Sequence, residues 1–123
     1  MIEVVNQSLH EQDDYSEVIQ KDFYIGRGSV LGNPYTSKPL EKTKAQFSCD
    51  SKKEAIDKYK LYLVKKIKDE DEDICSILQE IETSAEEGTA FLVCFCKPSS
   101  CHGDFIKEII DNRIESNRTV SLF

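Results

Sequence analysis

Apolar residues arrive along this chain in short bursts, and the spacing within each burst predicts its conformation. "IEVV" at 2–5 is a continuous β-prone run that predicts a first strand ending at Asn6. The following stretch, residues 8–20, mixes charges and amides without a period and predicts a loop or a surface turn. "DFYIG" at 22–26 predicts a second strand, closed by glycines. From Tyr35 to Asp50 the pattern lapses, which predicts a long surface loop.

Helical spacing takes over at residue 51. Ser51 and Glu54 stand at capping-box distance, so each can satisfy a free backbone donor at a helix start. Ile56, Tyr59, Leu63 and Ile67 then recur as an apolar stripe. "KDEDED" at 68–73 is too charged for a core and predicts a solvated link between two helices. Ile74, Ile77, Leu78 and Ile81 mark the second helix, with Gly88 placed to stop it. "TAFLVCFC" at 89–96 is the most hydrophobic run, and its length suits a central strand buried on both faces. A third helix over 104–115 follows from Phe105, Ile106, Ile109, Ile110 and Ile114. The tail from Ser116 to Phe123 is expected to add an edge strand or to pack down.

Strands interleaved with helices predict an α/β fold. At 123 residues the expectation is a small single-domain sandwich spanning 1–123, with a short, mainly parallel sheet and three helices. Charge then narrows the partners. The formal net charge of −7 excludes a general nucleic-acid binder, which needs a basic face for phosphate backbones. No apolar run approaches the roughly 20 residues of a membrane span, and no signal-peptide pattern precedes "IEVV", so a cytoplasmic location is expected. Five unevenly spaced cysteines fit that compartment better than a secreted disulfide framework.

The first chemically dense segment is "YIGRGSVLGNPY", residues 24–35. Its glycines allow backbone N–H groups to converge into an anion-binding nest, to which Arg27 can add a bidentate fork. Ser29 and Asn33 supply further hydrogen-bonding groups, and Pro34 stiffens the exit. The segment is not a P-loop, which ends in Gly-Lys-Ser/Thr, and its third glycine sits one position late for a dinucleotide fingerprint. The alternative is a tight turn with a bulge.

The second is "CFCKPSSCHGD", residues 94–104. Strand alternation puts Cys94 and Cys96 on one face and Phe95 on the other. Ser99 or Ser100 can cap the third helix, with Cys101, His102 and Asp104 in its first turn. A helix N-terminus favours negative charge there. Three readings stay open. Cys94, Cys96, Cys101 and His102 could ligate zinc, although CxC-x4-CH departs from the usual ligand spacing. Cys101, His102 and Asp104 could line a pocket for a polar small molecule. Or Cys94 and Cys96 are small core residues and Asp104 caps a helix.

Taken together, "VVN", "YIGRGSVLGNPY", "EAIDKYKLYL" and "CFCKPSSCHGDFI" resemble the bacterial and phage proteins grouped as domain of unknown function 4326, from Val4 to about Ile110. Phe95 stands where the family usually carries Trp, and Gln7 where a basic residue commonly follows the early Asn. The resemblance implies that the two motif regions belong to one site, and that the chain could be a phage protein acting in a host cytoplasm. The expected ligand is a nucleotide-like or other phosphate-bearing small molecule held between the glycine loop and the Cys-His-Gly-Asp helix start. Asn6, Arg27, Gly28, Ser29 and Asn33 would bind it. In an enzyme, Asp104 or His102 would act as general acid/base and Cys101 as nucleophile. No cofactor or metal is assigned. The alternative is a non-catalytic phage protein that sequesters a nucleotide signal or binds a host protein; homodimerisation is compatible with either.

Overall fold

The computed structural model describes residues 1–7, 19–36, 47–95 and 101–121. The strands are β1 (Ile2–Asn6), β2 (Gln20–Tyr24), β3 (Tyr35–Thr36), β4 (Phe47–Ser48) and β5 (Thr89–Cys94). The helices are α1 (Lys52–Lys68), α2 (Glu72–Glu87) and α3 (His102–Ser121). Their internal contacts divide the chain into two units, Met1–Tyr24 with Leu78–Phe123, and Ile25–Ile77.

In the first unit β1, β5 and β2 form a parallel sheet in the order β1-β5-β2. The expected α/β fold with a parallel sheet and three helices is thus observed. The apolar run of β5 is central, as its composition predicts: Ile2 to Asn6 pair with Ala90 to Cys94 on one side, and Gln20 to Tyr24 with Thr89 to Val93 on the other. This register places Ile2, Phe23, Ala90, Leu92 and Cys94, all buried, on one face. The opposite face carries Asp22 and Tyr24, both exposed, around buried Val93. Helix α3 packs against β1 and buries Ile106 and Ile110.

In the second unit, α1 begins as its capping box predicts. Ser51 Oγ accepts from the Glu54 N–H at 3.1 Å, and the Glu54 carboxylate accepts from the Asp50 N–H at 3.0 Å. The buried stripe is Ala55, Tyr59 and Leu63; Ile56 and Ile67 lie on its half-buried flanks. The acidic link is shorter than its charge suggests. Asp69 ends α1, Glu70 takes a left-handed conformation (φ 57°), and the Glu70 and Asp71 N–H groups bond back to Ile67 and Lys66 carbonyls. Asp71 Oδ1 then accepts from Ile74 N–H at 3.1 Å and caps α2. Glu72 and Asp73 fall in the first turn of α2, where the helix dipole favours negative charge.

Three expectations are corrected. Strand β2 starts at Gln20 and ends at Tyr24, two residues earlier than its apolar pattern suggests, because pairing with β5 stops at Tyr24–Val93 and leaves Ile25 outside the ladder. The loop expected over 35–50 contains β3 and β4, which pair in parallel through Tyr35–Phe47 and Thr36–Ser48. Of the tail's two expected outcomes the edge strand does not form among the described residues; the tail is helical to Ser121, and Asn117 donates its amide to the Glu82 carboxylate at 3.1 Å. Extending a helix adds one hydrogen bond per residue once the nucleus exists, so this polar segment needs no apolar stripe of its own.

Candidate functional site

The glycine loop occupies the start of the second unit, and its side chains are wired into it. Gly28 sits at φ 89°, a conformation open mainly to glycine. A Cβ on Gly32 would stand 2.6 Å from the Gly26 carbonyl oxygen, so the chain passes too close for any side chain. Ser29 donates to the Gly26 carbonyl through both its N–H (3.1 Å) and its hydroxyl (2.6 Å). Gly32 N–H in turn donates to the Ser29 carbonyl at 3.0 Å. The Arg27 guanidinium donates to the Asn33 carbonyl oxygen. Asn33 is buried; its amide donates to the Ala55 carbonyl at 3.1 Å, and its Oδ1 accepts from Tyr35 N–H at 2.9 Å. Tyr59 completes the seat by donating its hydroxyl to the Leu31 carbonyl at 2.7 Å. Arg27 and Ser29 therefore brace the loop's own backbone, and Asn33 ties the loop to α1 as well.

The helix start lies in the first unit, at the carboxyl ends of the parallel strands. Asn6 ends β1 opposite Cys94, and its amide donates to the Phe95 carbonyl at 3.3 Å. Cys101 occupies the N-cap of α3. Its Sγ accepts from Gly103 N–H at 3.4 Å, while the Asp104 carboxylate accepts from Cys101 N–H at 3.3 Å. Asp104 makes the reaching-back half of a capping box, and the thiol caps the Gly103 N–H where a hydroxyl usually would. Cys101 Sγ also lies 3.3 Å from Cys94 Sγ and 3.6 Å from His102 Nδ1. Cys94 donates onward to the Val5 carbonyl at 3.6 Å. Both thiols are buried, Cys94 at 1% and Cys101 at 3% exposure, and His102 is 7% exposed. Asp104 is exposed.

Asn6, Cys94, Cys101, His102 and Asp104 are thus gathered at one end of one sheet. Cys96 and the serines expected to cap α3 lie outside the described residues. Among the described residues, no group of three or more His, Cys, Asp or Glu is arranged to hold a metal ion.

Two side chains at this sheet end were not singled out from sequence as ligand contacts. Tyr24 and Phe95, 45% and 60% exposed, meet edge to face with ring centroids 6.2 Å apart. With Gln7, Asp22 and Val93 they line an open depression of about 530 Å³. Phe95 does face away from Cys94, as alternation predicts. The signal for Tyr24 was its place two residues beyond Asp22 on the same strand face, since an aromatic beside an exposed carboxylate is not core patterning.

This arrangement defines a class: a small parallel α/β sheet whose chemically rich end is the carboxyl end, where open α/β sheets carry ligands. The chain belongs to the family described as Domain of unknown function (DUF4326), whose model matches residues 8–112. No curated protein matches the chain, and no solved structure does. Among the described residues, no helix is long and apolar enough to cross a membrane.

Proposed function

We propose that the protein binds a nucleotide-like, phosphate-bearing small molecule at the carboxyl end of the β1-β5-β2 sheet, in a cytoplasm. The observation that carries this reading is the exposed Tyr24–Phe95 pair beside an open depression, next to the strand end from which the chain enters α3. Exposed aromatic faces stack nucleobases irrespective of base identity. A helix N-terminus favours an anion. The proposal rests on residues of the first unit alone.

Binding without chemistry is favoured over catalysis by one feature. The Asp104 carboxylate accepts from the cap of α3, so one candidate acid/base group already serves the helix start. Sequestration of a nucleotide signal fits this better than turnover.

The test is calorimetric titration of the full chain with adenosine, guanosine, cytidine and uridine monophosphates. Each is expected to bind, and Tyr24→Ala or Phe95→Ala to weaken binding by roughly tenfold, the scale of one lost stacking contact. Failure of all four nucleotides to bind, or equal binding by the doubly substituted protein, overturns the reading. Recovery of each nucleotide unchanged after denaturation supports sequestration. A product that disappears in His102→Ala and Asp104→Ala would make the protein an enzyme instead.

A further inference from the structure

Two thiols in contact at the buried start of a helix invite a redox reading that owes nothing to the ligand. We propose that Cys94 and Cys101 are a redox-active dithiol, oxidised by a small peroxide to an intramolecular disulfide between the end of β5 and the cap of α3.

The geometry supplies what each step needs. Cys101 Sγ receives the Gly103 N–H and sits at the N-terminus of a 20-residue helix, both of which stabilise negative charge on sulfur. His102 Nδ1, 3.6 Å away, is placed to take the thiol proton. The resolving thiol is already adjacent: the sulfurs stand 3.3 Å apart and need to close by about 1.2 Å to reach bonding distance. Cys49 and Cys75 are also free thiols, but each falls in the other unit. Burial restricts the oxidant to something close to the size of water, which is why a peroxide fits and a bulky disulfide does not.

In the first step the Cys101 thiolate attacks one peroxide oxygen. The O–O bond breaks, Cys101 becomes a sulfenic acid, and the departing hydroxide takes the proton held by His102 and leaves as water. In the second, Cys94 sulfur attacks Cys101 sulfur and the S–O bond breaks. The released hydroxide takes the Cys94 proton, which now points at the Val5 carbonyl, and leaves as a second water. Two thiols lose two electrons and two protons; one hydrogen peroxide becomes two waters.

The experiment exposes the fully reduced chain to limiting hydrogen peroxide, quenches it with iodoacetamide in denaturant, where every thiol is accessible, and maps the peptides by mass. Of five alkylatable cysteines, two are expected to be lost together, appearing as a linked peptide that joins Cys94 to Cys101. Cys75, although more exposed than either, is expected to remain fully alkylated at the dose that consumes the pair. Oxidation of Cys75 first, a linked peptide through Cys96 or Cys49, or retention of all five thiols overturns the proposal. In Cys94→Ser, Cys101 is expected to stop at the sulfenic acid and to be trapped by dimedone added together with denaturant; a Cys101 that forms no adduct there also counts against it. The wild-type map decides the matter even if that variant folds poorly.

Discussion

The glycine loop and the helix start look alike as sequence: each is a cluster of small and polar residues just after a strand. They spend those residues differently. In the loop, Arg27, Ser29 and Asn33 all bond to the backbone of their own unit, and Gly28 and Gly32 make the tight path possible. At the helix start, one residue, Cys101, serves as cap, as neighbour to His102 and as partner to Cys94. These bonds brace the loop and anchor it to α1. A cap made from a thiol is one that a hydroxyl could have supplied, so its sulfur is open to a second use.

The sharpest way to break this comparison is Gly32→Ala. The new methyl would meet two backbone carbonyls, Gly26 at 2.6 Å and Ser29 at 3.1 Å, neither of which can swing aside. A loss of about 3 kcal/mol is expected in denaturant unfolding, near the upper end of ordinary point substitutions. An unchanged midpoint would mean the loop is not wired as described. Cys101→Ser sharpens the other side. Serine is among the preferred N-caps, so stability is expected to stay within about 0.5 kcal/mol while the dithiol is lost. A much larger destabilisation would show that the contact with Cys94, rather than the cap, holds α3 in place.

How much of this was legible beforehand depends on how each element is stabilised. Strand β5 and the buried stripe of α1 were readable because burial writes itself as an apolar pattern. Strand β2 was misplaced because it lies at the sheet edge, where Lys21 and Asp22 face solvent, while the apolar Ile25 is buried just beyond the strand. Strands of two residues, such as β3 and β4, are too short to show any period. The site was half visible. Residue types marked Cys101, His102 and Asp104, but the contact between Cys94 and Cys101 depends on how the chain turns between a strand and a helix, which spacing alone does not encode.

The smallest effect concerns α1. The Asp50 N–H hydrogen bond, then the Lys58 ammonium 3.1 Å away, hold the Glu54 carboxyl below its ordinary value of 4.5. A lowered folded value means that this support is complete above pH 4.5 and is lost as pH falls through the folded titration. The pair is exposed, so the readout is the Glu54 carboxyl shift by NMR, with its midpoint expected below 4.5. A midpoint at or above that value would remove the capping box from the account of α1.

The strand order carries a consequence for synthesis. Ile2 pairs with Ala90, and Lys21 with that same residue from the other side, so β5 is the seam of a sheet whose flanks are made first. On the ribosome the first 24 residues must wait, without their central strand, until the chain has been extended to residue 94. Residues 25–77 are contiguous, so their own contacts involve no later part of the chain. Sequence-distant pairing of this kind folds slowly. During that interval the apolar "IEVV" has no β5 to pair with, and the nascent chain is most open to chaperones, proteases and its own copies.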